Sequence, residues 1–293
     1  MRQATLIVNP FASGVDGAPA RAIEQVLRGV FDLRVVKTEA PGHATELARA
    51  ASAGDALFVY AGDGVYNEVL NGTDGGVPLG LLPGGATSVL PRALGLPRDP
   101  VAAARKLAHT GRERRISLGR VNGRRFGFGA GVGVDAALVR RVDAWGRRDG
   151  HRAGDLAFVW EAAKLVASRR GRFPAALEVI GRGRAAFALV ANTDPYSYAG
   201  RLPLRVAPRA QFELGLDVVA PTSVGPSTVP RILLYAFRGA GQEHARDVIY
   251  GHDLDRVEVV CDEPMPVQAD GEDLGDAERL VFEAERDAVA VLV

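Results

Sequence analysis

The sequence predicts an α/β protein: a doubly wound parallel-sheet domain over residues 1–115, then a β-rich, β-sandwich-like domain over 116–293. Short apolar runs alternate with helical patterns in the first third of the chain, which favours right-handed crossovers and a parallel sheet. After Ile116 most segments have the pattern of strands. We leave open a return of the last residues to the first domain.

In the first domain each predicted strand is followed by a predicted helix. The strands are Thr5–Asn9, Leu33–Val36, Ala56–Tyr60 and Val77–Leu82. The helices are Ala18–Gly29, His43–Ala53, one near Tyr66–Leu70, and Thr87–Leu94. In such sheets ligands bind beyond the carboxyl ends of the strands.

The second domain begins with a predicted hairpin that turns at Asn122-Gly123, because this dipeptide favours a two-residue hairpin turn. We predict helices near Asp135–Ala144, Ala153–Ser168 and Val229–Arg238. The further strands are Ala175–Ile180, Ala185–Ala191, Gly215–Val219, Arg256–Val260, Met265–Ala269, Arg279–Phe282 and Ala288–Val293. We expect the functional cleft between the two domains.

The bulk composition is that of an ordinary globular protein with no dominant charge. The chain has 293 residues, a formal net charge of +1 and one cysteine, Cys261. A charge so close to zero makes no case for nucleic-acid binding, and one cysteine excludes an internal disulfide. We find neither a signal-peptide pattern nor an apolar run long enough to span a bilayer, and expect a cytoplasmic protein.

Three glycine-rich turns follow predicted strands: Asn9–Gly14, Ala61–Gly64 and Pro83–Ala86. Glycine lets the backbone approach a ligand, and the amides that open a helix favour phosphate. Asp63 lies in the middle turn, which indicates phosphoryl transfer rather than storage of an anion. Each turn alone is also an ordinary strand-to-helix loop, and Thr87 or Ser88 could simply cap the next helix.

A second candidate site lies far along the chain, where Asp270-Gly271-Glu272 follows a predicted strand. Beside a phosphate site, two carboxylates could deprotonate an alcohol or hold magnesium. Taken alone, the same segment is an ordinary turn.

Together these segments resemble the diacylglycerol kinase catalytic-domain family, which includes bacterial lipid kinases and sphingosine kinases, in a superfamily with the NAD kinases. Ala61–Gly72 is similar to the family's Gly-Gly-Asp-Gly-Thr and Asn-Glu-Val-hydrophobic-Asn-Gly, and Asp270-Gly271-Glu272 matches its late Asp-Gly-Glu. Four other segments resemble it in the same order: Asn9–Gly14, Pro83–Leu96, Phe126–Asp135 and Ala207–Asp217.

The resemblance implies transfer of the γ-phosphoryl group of ATP to a lipid hydroxyl, with Mg²⁺ bridging the ATP oxygens. It implies catalytic roles for Asp63, Asp270 and Glu272, of which Asp63 and Asp270 are also the candidate magnesium ligands. The nucleotide contacts that it implies are Asn9, Ser13, Gly14, Gly62, Asp63, Gly64, Glu68, Gly85 and Thr87.

Several positions depart from the family pattern. Ala61 replaces the first glycine of the signature and Val65 its threonine, while Glu213-Leu214 replaces a late aspartate pair and puts a structural magnesium site in doubt. A second hypothesis is therefore a catalytically weak nucleotide- or lipid-binding protein that retains the fold. An NAD kinase is disfavoured, because Asn67-Glu68 and the late Asp-Gly-Glu resemble the lipid branch.

The region that would face the lipid is less distinctive. Leu138–Phe173 carries eight arginines around Trp145, Phe158 and Trp160, a combination that suits a membrane interface but also an ordinary solvated helical face. We expect a lipid substrate at the membrane surface and a location at the inner face of the membrane. We expect no nucleic-acid partner, and a homodimer stays open.

Overall fold

The computed structural model describes residues 2–12, 14–15, 17–51, 54–149 and 155–293. They form two compact units. Unit 1 comprises Met1–Leu118 and Arg286–Val293, and unit 2 comprises Gly119–Glu285. The predicted α/β class with a β-rich C-terminal region is confirmed.

Unit 1 contains a parallel sheet. Its strands are β1 (Arg2–Val8), β2 (Phe31–Lys37), β3 (Ala56–Ala61) and β4 (Leu79–Pro83). Their order in the sheet is β2, β1, β3, β4, and every neighbouring pair is parallel. The carboxyl ends of β1, β3 and β4 therefore lie at the same edge of the sheet, followed by the three glycine-rich turns.

Five helices follow these strands. They are α1 (Gly17–Arg28), α2 (His43–Ala50), α3 (Asp63–Gly72), α4 (Val89–Ala93) and α5 (Pro100–Thr110). Helix α3 begins at Asp63, earlier than the sequence pattern predicts, and α5 was not predicted. The start of α5 nevertheless has a recognisable capping pattern. Asp99 accepts a hydrogen bond from the Ala102 amide at 2.6 Å, and Pro100 occupies the first turn.

The strands of unit 2 pair mainly in the antiparallel sense. They are β5 (Glu113–Val121), which begins in unit 1, β6 (Arg124–Phe126), β7 (Gly129–Val132), β8 (Leu177–Val179), β9 (Gly183–Ala185), β10 (Ala188–Ala191), β11 (Ser197–Ala199), β12 (Leu202–Leu204), β13 (Leu216–Pro221), β14 (Val248–Leu254), β15 (Arg256–Ala269) and β16 (Glu272–Leu292). The order β14, β13, β10, β7, β15, β16 is antiparallel throughout. The helices are α6 (Val134–Asp149), α7 (Asp155–Ser168) and α8 (Val229–Arg238).

The predicted hairpin at Asn122-Gly123 is confirmed, since both residues have positive φ, 47° and 88°, and join β5 to β6. Strand β16 corrects the prediction of two short strands at the end of the chain. The intervening charged residues stay in the strand because they pair across the ladder: Arg256 lies opposite Glu283, with Nη1 and Oε1 2.6 Å apart. The end of β16 belongs to unit 1, where Val291 pairs with Leu79 in parallel.

Each unit has its own apolar core. In unit 1 every residue of β3 is buried. In unit 2 the core includes Phe126, Val190, Val218 and Phe282. None of the described helices is both long and apolar enough to cross a membrane.

A close contact in the unit 1 core leads to a stability prediction. Gly80 of β4 lies beside Phe58 of β3, and a Cβ at Gly80 would be 2.4 Å from Cδ1 of the Phe58 ring. Phe58 is fully buried and packs edge-on against Phe31, so the ring has little room to move. We expect Gly80→Ala to lower the free energy of unfolding by about 1–3 kcal/mol in urea denaturation.

Gly54→Ala is the matched control, because the nearest atom to a Cβ there is the Gln3 carbonyl oxygen at an unstrained 3.6 Å. Its unfolding free energy should stay within about 0.5 kcal/mol of wild type. Equal stability of the two variants would show that β3 and β4 are not packed as described.

Candidate active site

The three glycine-rich turns of unit 1 are joined through their backbones. The Gly14 amide donates to the Gly84 carbonyl at 3.1 Å, and the Gly84 amide donates to the Ala61 carbonyl at 2.8 Å. A Cβ on Gly14 would lie 2.9 Å from the Gly84 oxygen, and one on Gly85 would lie 2.9 Å from the Cα of Gly62. The three turns therefore meet at one place, and glycine is required at positions 14 and 85 because backbone approaches backbone there.

Asp63 connects the second turn to the third. It is the first residue of α3, where the positive end of the helix dipole favours a carboxylate. Its Oδ1 accepts a hydrogen bond from the amide of Val89, the first residue of α4, at 2.7 Å. The half-buried carboxylate thus stands beside the joined turns and also satisfies an N-terminal amide of α4.

This contact replaces the hydroxyl cap that the sequence suggested for α4. Ser88 precedes the helix with φ 45°, and its side chain makes no capping bond. Its hydroxyl instead donates to the Gly85 carbonyl at 3.0 Å and accepts from the Gly85 amide at 3.1 Å. The hydroxyl thereby holds the third turn in shape.

Two other predicted nucleotide contacts have structural partners in unit 1. Asn9 Oδ1 accepts from the Phe11 amide at 3.0 Å and from the Thr38 hydroxyl at 3.1 Å, which shapes the first turn. Glu68 Oε2 accepts from the Ala44 amide at 3.1 Å, at the start of α2. Their nucleotide roles, and those of the other predicted residues at the turns, stay predictions. Ser13 lies outside the described residues.

In unit 2, Asp270 and Gly271 form the two-residue turn between β15 and β16. Both have positive φ, 50° and 78°, and Ala269 pairs with Glu272 across the turn. The Asp270 carboxylate is only 3% exposed. It accepts from the amides of Gly127 at 2.6 Å, Phe128 at 2.9 Å and Gly129 at 3.2 Å, and so fixes the backbone that leads into β7.

A polar cluster next to this turn joins the buried Tyr196 and Gln268 to the half-buried carboxylate of Asp135, which the predicted site residues omitted. Asp135 Oδ2 accepts from the Tyr196 hydroxyl at 2.9 Å and from Gln268 Nε2 at 2.6 Å. Burial raises the pKa of Asp135, although both hydrogen bonds act in the opposite direction. The family-like segment Phe126–Asp135 ends at this residue, so a signal was present, but its burial depends on the fold.

Magnesium has no preformed protein cage in the described residues, since no group of three or more His, Cys, Asp or Glu side chains is arranged to hold a metal. Asp270 fits a direct metal ligand poorly, because three amide hydrogens point at its oxygens. A cation at that carboxylate would replace favourable donors. Asp63 is the remaining predicted ligand.

Comparison with known proteins agrees with this geometry. Residues 3–121 match the family model of the diacylglycerol kinase catalytic domain. The chain is similar to a diacylglycerol kinase of Bacillus subtilis (strain 168), with 28% identity over 288 residues that cover 93% of this chain and 90% of the relative. The resemblance predicted from the sequence is confirmed.

Two solved structures share the fold. A diacylglycerol kinase from Bacillus anthracis str. Sterne has a TM-score of 0.74 and 20% identity, covering 99% of this chain and 96% of that chain. An NAD kinase from Archaeoglobus fulgidus in complex with ATP has a TM-score of 0.51 and 12% identity, covering 99% and 93%. Likeness at these identities establishes the fold.

The raised pKa of Asp135 predicts a pH dependence of stability. The folded state favours the protonated carboxyl, so its stabilising contribution is complete below the pKa in the unfolded chain and is lost as the pH rises through the folded pKa. Asp135→Asn keeps a carbonyl oxygen for both donors and cannot ionise. We expect its unfolding free energy, relative to wild type, to increase as the pH rises from about 4.

Urea denaturation at several pH values tests this expectation. Asp32→Asn, at an exposed aspartate of β2, is the matched control and should run parallel to wild type. Parallel profiles for Asp135→Asn as well would refute the raised pKa.

Proposed function

From the resemblance to the diacylglycerol kinase catalytic-domain family, we propose that this protein is an ATP-dependent lipid kinase that phosphorylates a diacylglycerol-like or sphingosine-like hydroxyl. The Bacillus subtilis relative is named a diacylglycerol kinase, which supports a lipid kinase function. The NAD kinase of the same fold was solved in complex with ATP, which supports ATP as the donor.

The observation that carries the proposal is the joined set of turns in unit 1. These turns lie within the matched residues 3–121 and expose a helix start beside the Asp63 carboxylate. Phosphoryl transfer needs positioning and charge neutralisation more than covalent chemistry, and backbone amides at a helix start offer both to phosphate.

In the proposed step, the lipid hydroxyl oxygen forms a bond to the γ-phosphorus as the bond from that phosphorus to the β–γ bridging oxygen breaks. ADP leaves, and the hydroxyl proton passes to a carboxylate. Asp63 and Asp270, supported by Glu272, are the proposed carboxylates. Asp135 is a further candidate, because a raised pKa makes its carboxylate a stronger base than an unperturbed one.

Asp270 has a second proposed role that follows from its contacts. A carboxylate that accepts three amide hydrogens holds the backbone of residues 127–129 in one conformation. We therefore assign Asp270 to positioning this loop as well as to proton transfer. Magnesium would arrive with the nucleotide, held mainly by phosphate oxygens and water, with Asp63 as the proposed protein ligand.

The alternative, a catalytically weak binding protein, was motivated by Ala61 and Val65. The Ala61 side chain is fully buried, and its carbonyl accepts the Gly84 amide like any other link in the joined turns. Its methyl group therefore does not project from the turn towards solvent. This observation and the relatives favour the kinase.

We further propose that α8 brings unit 2 to an anionic membrane surface. Leu233, Leu234 and Phe237 are 53%, 48% and 49% exposed, and α8 has no buried residue. Leu202 of the neighbouring strand β12 is 61% exposed. The 25 residues Val218–Gln242 contain no acidic residue and two arginines, of which Arg231 pairs with Asp247 and the exposed Arg238 in the last turn of α8 suits an anionic bilayer.

A bilayer fits this patch better than a second protein does, because a stable protein interface takes about 20–30 residues a side. The arginine-rich segment Leu138–Phe173 gives less evidence for contact with a membrane. Trp160 is 57% exposed, with Lys164 Nζ 5.4 Å from the centre of its ring, whereas Arg152 lies outside the described residues.

Incubation with labelled ATP, magnesium and a panel of lipids tests the kinase. Asp63→Asn keeps an oxygen for the Val89 amide but cannot take a proton, so we expect labelled lipid to form about 10²–10⁴-fold more slowly. We expect a similar loss for Asp270→Asn, with thermal unfolding run alongside to detect a disordered loop. Asp74→Asn, at an exposed aspartate, is the control.

Full rates in both the Asp63 and the Asp270 variants would rule out their proposed roles. No labelled lipid from the wild type, with Mg-ATP still bound, would favour the binding protein.

Co-sedimentation with phosphatidylglycerol-containing vesicles tests the α8 surface. Each apolar side chain that enters the bilayer contributes about 1.5–3 kcal/mol. The double variant Leu233→Ser/Phe237→Ser should therefore bind these vesicles more weakly than wild type by more than about tenfold. Ile180→Ser removes a similarly exposed side chain elsewhere in unit 2 and should bind like wild type. Vesicle binding that is unchanged in the α8 double variant would refute the membrane role. A variant that loses dimerisation and keeps vesicle binding would refute it as well.

A further inference from the structure

Unit 2 has an open pocket of about 640 Å³ that the proposed reaction does not use. Its lining is basic: Arg182, Arg209, His244 and His252 lie around it, with Glu243 as the acidic lining residue. Glu243 is turned towards its own backbone, because its Oε2 accepts the Gly241 amide at 3.0 Å. The two arginines are the permanent positive charges of the lining, and Glu243 Oε1 lies 3.9 Å from Nε2 of the neighbouring His244.

Asp217 of β13 organises the floor of this pocket. Its carboxylate is fully buried and accepts from His252 Nδ1 at 2.7 Å, the Tyr250 hydroxyl at 2.7 Å and the Asp253 amide at 3.0 Å. A carboxylate on Nδ1 sets the orientation of the ring and leaves Nε2 as the nitrogen for a ligand. Burial and Asp217 raise the pKa of Tyr250, so its hydroxyl stays a donor to Asp217.

The two arginines contribute donors that the protein itself does not use. Within the part of the chain that the structure describes, neither the Arg182 nor the Arg209 guanidinium makes an ion pair or a hydrogen bond. Nearby arginines differ: Arg184 pairs with Asp262 and Arg205 with Asp194.

Arg182 is also held close to the strand. A Cβ on Gly251 of β14 would lie 3.1 Å from its guanidinium carbon, so the glycine leaves room for the guanidinium against the backbone. A long charged side chain kept against a strand loses less freedom when a ligand binds.

We propose that this pocket binds a phosphate monoester group. Guanidinium groups match phosphate oxygens with paired N–H donors, and Nε2 of His252, whose Nδ1–H donates to Asp217, can accept a hydrogen bond from a protonated phosphate oxygen. The phosphate could belong to a small molecule or to the head group of a phosphorylated lipid. The proposal rests on the pocket itself and is independent of the kinase activity.

Isothermal titration calorimetry with inorganic phosphate, using the full chain, tests the shared chemistry. Loss of a charge-assisted hydrogen bond lowers affinity by about tenfold or more, which we expect for Arg182→Gln and for Arg209→Gln. Both side chains are exposed, so the folding of the variants should be unaffected, and thermal unfolding checks this. Arg201→Gln, at an exposed arginine outside the pocket, should bind like wild type.

Vesicles of phosphatidylcholine with phosphatidic acid, compared with phosphatidylglycerol vesicles of equal charge, identify the source of the phosphate. Tighter binding to phosphatidic acid that depends on Arg182 and Arg209, with weak binding of free phosphate, indicates the lipid head group. Equal binding to the two vesicle types, with arginine-dependent binding of inorganic phosphate, indicates a soluble phosphate.

Asp217→Asn tests the positioning role through two readouts. The ¹⁵N shifts of the His252 ring should change as the ring loses its carboxylate partner, and phosphate affinity should fall. The proposal is overturned if the wild type, both arginine variants and Asp217→Asn bind phosphate with equal affinity. It is also overturned if the protein binds none of the probes.

Discussion

The interaction on which the local structure depends most is a carboxylate that accepts backbone N–H groups from a distant segment. Asp63 does this for α4, Glu68 for α2 and Asp270 for residues 127–129. Each bond satisfies an amide that a helix start or a turn would otherwise leave unpaired. The glycine-rich turns of unit 1 are joined by their own backbone hydrogen bonds, and Asp63 connects the second turn to the start of α4.

The same carboxylates include those proposed to take part in phosphoryl transfer. Asp63 and Asp270, the carboxylates proposed to take part in the reaction, each also hold backbone of their own unit: Asp63 the start of α4, and Asp270 residues 127–129. Asp135 is different, since two side-chain donors meet one of its oxygens inside a buried cluster and burial raises its pKa. Carboxylates that look alike in sequence therefore differ in their hydrogen-bond partners and in their surroundings. Unit 2 adds two surfaces of distinct chemistry, apolar on α8 and basic around His252.

Much of the fold could be predicted because its signals are local. Strand–helix alternation predicts the parallel sheet of unit 1, and Asn122-Gly123 predicts the β5–β6 hairpin from turn chemistry alone. Strand β14 was not predicted, and β16 was predicted as two short strands, because polar and charged residues interrupt their apolar patterns. Those charges are satisfied by cross-strand partners such as Arg256 and Glu283, which no local window contains.

The sequence by itself determined the fold class, the three glycine-rich turns and the resemblance to a kinase family. Each of these depends on residue type and short-range order. The tertiary structure alone decided the partners of each candidate side chain, because those partners lie far away in the chain: 26 positions for Asp63 and Val89, and 143 for Asp270 and Gly127. The hydrogen-bond partners of Asp135 and the burial of Asp217 depend on the same packing, and so do the basic pocket and the exposed face of α8.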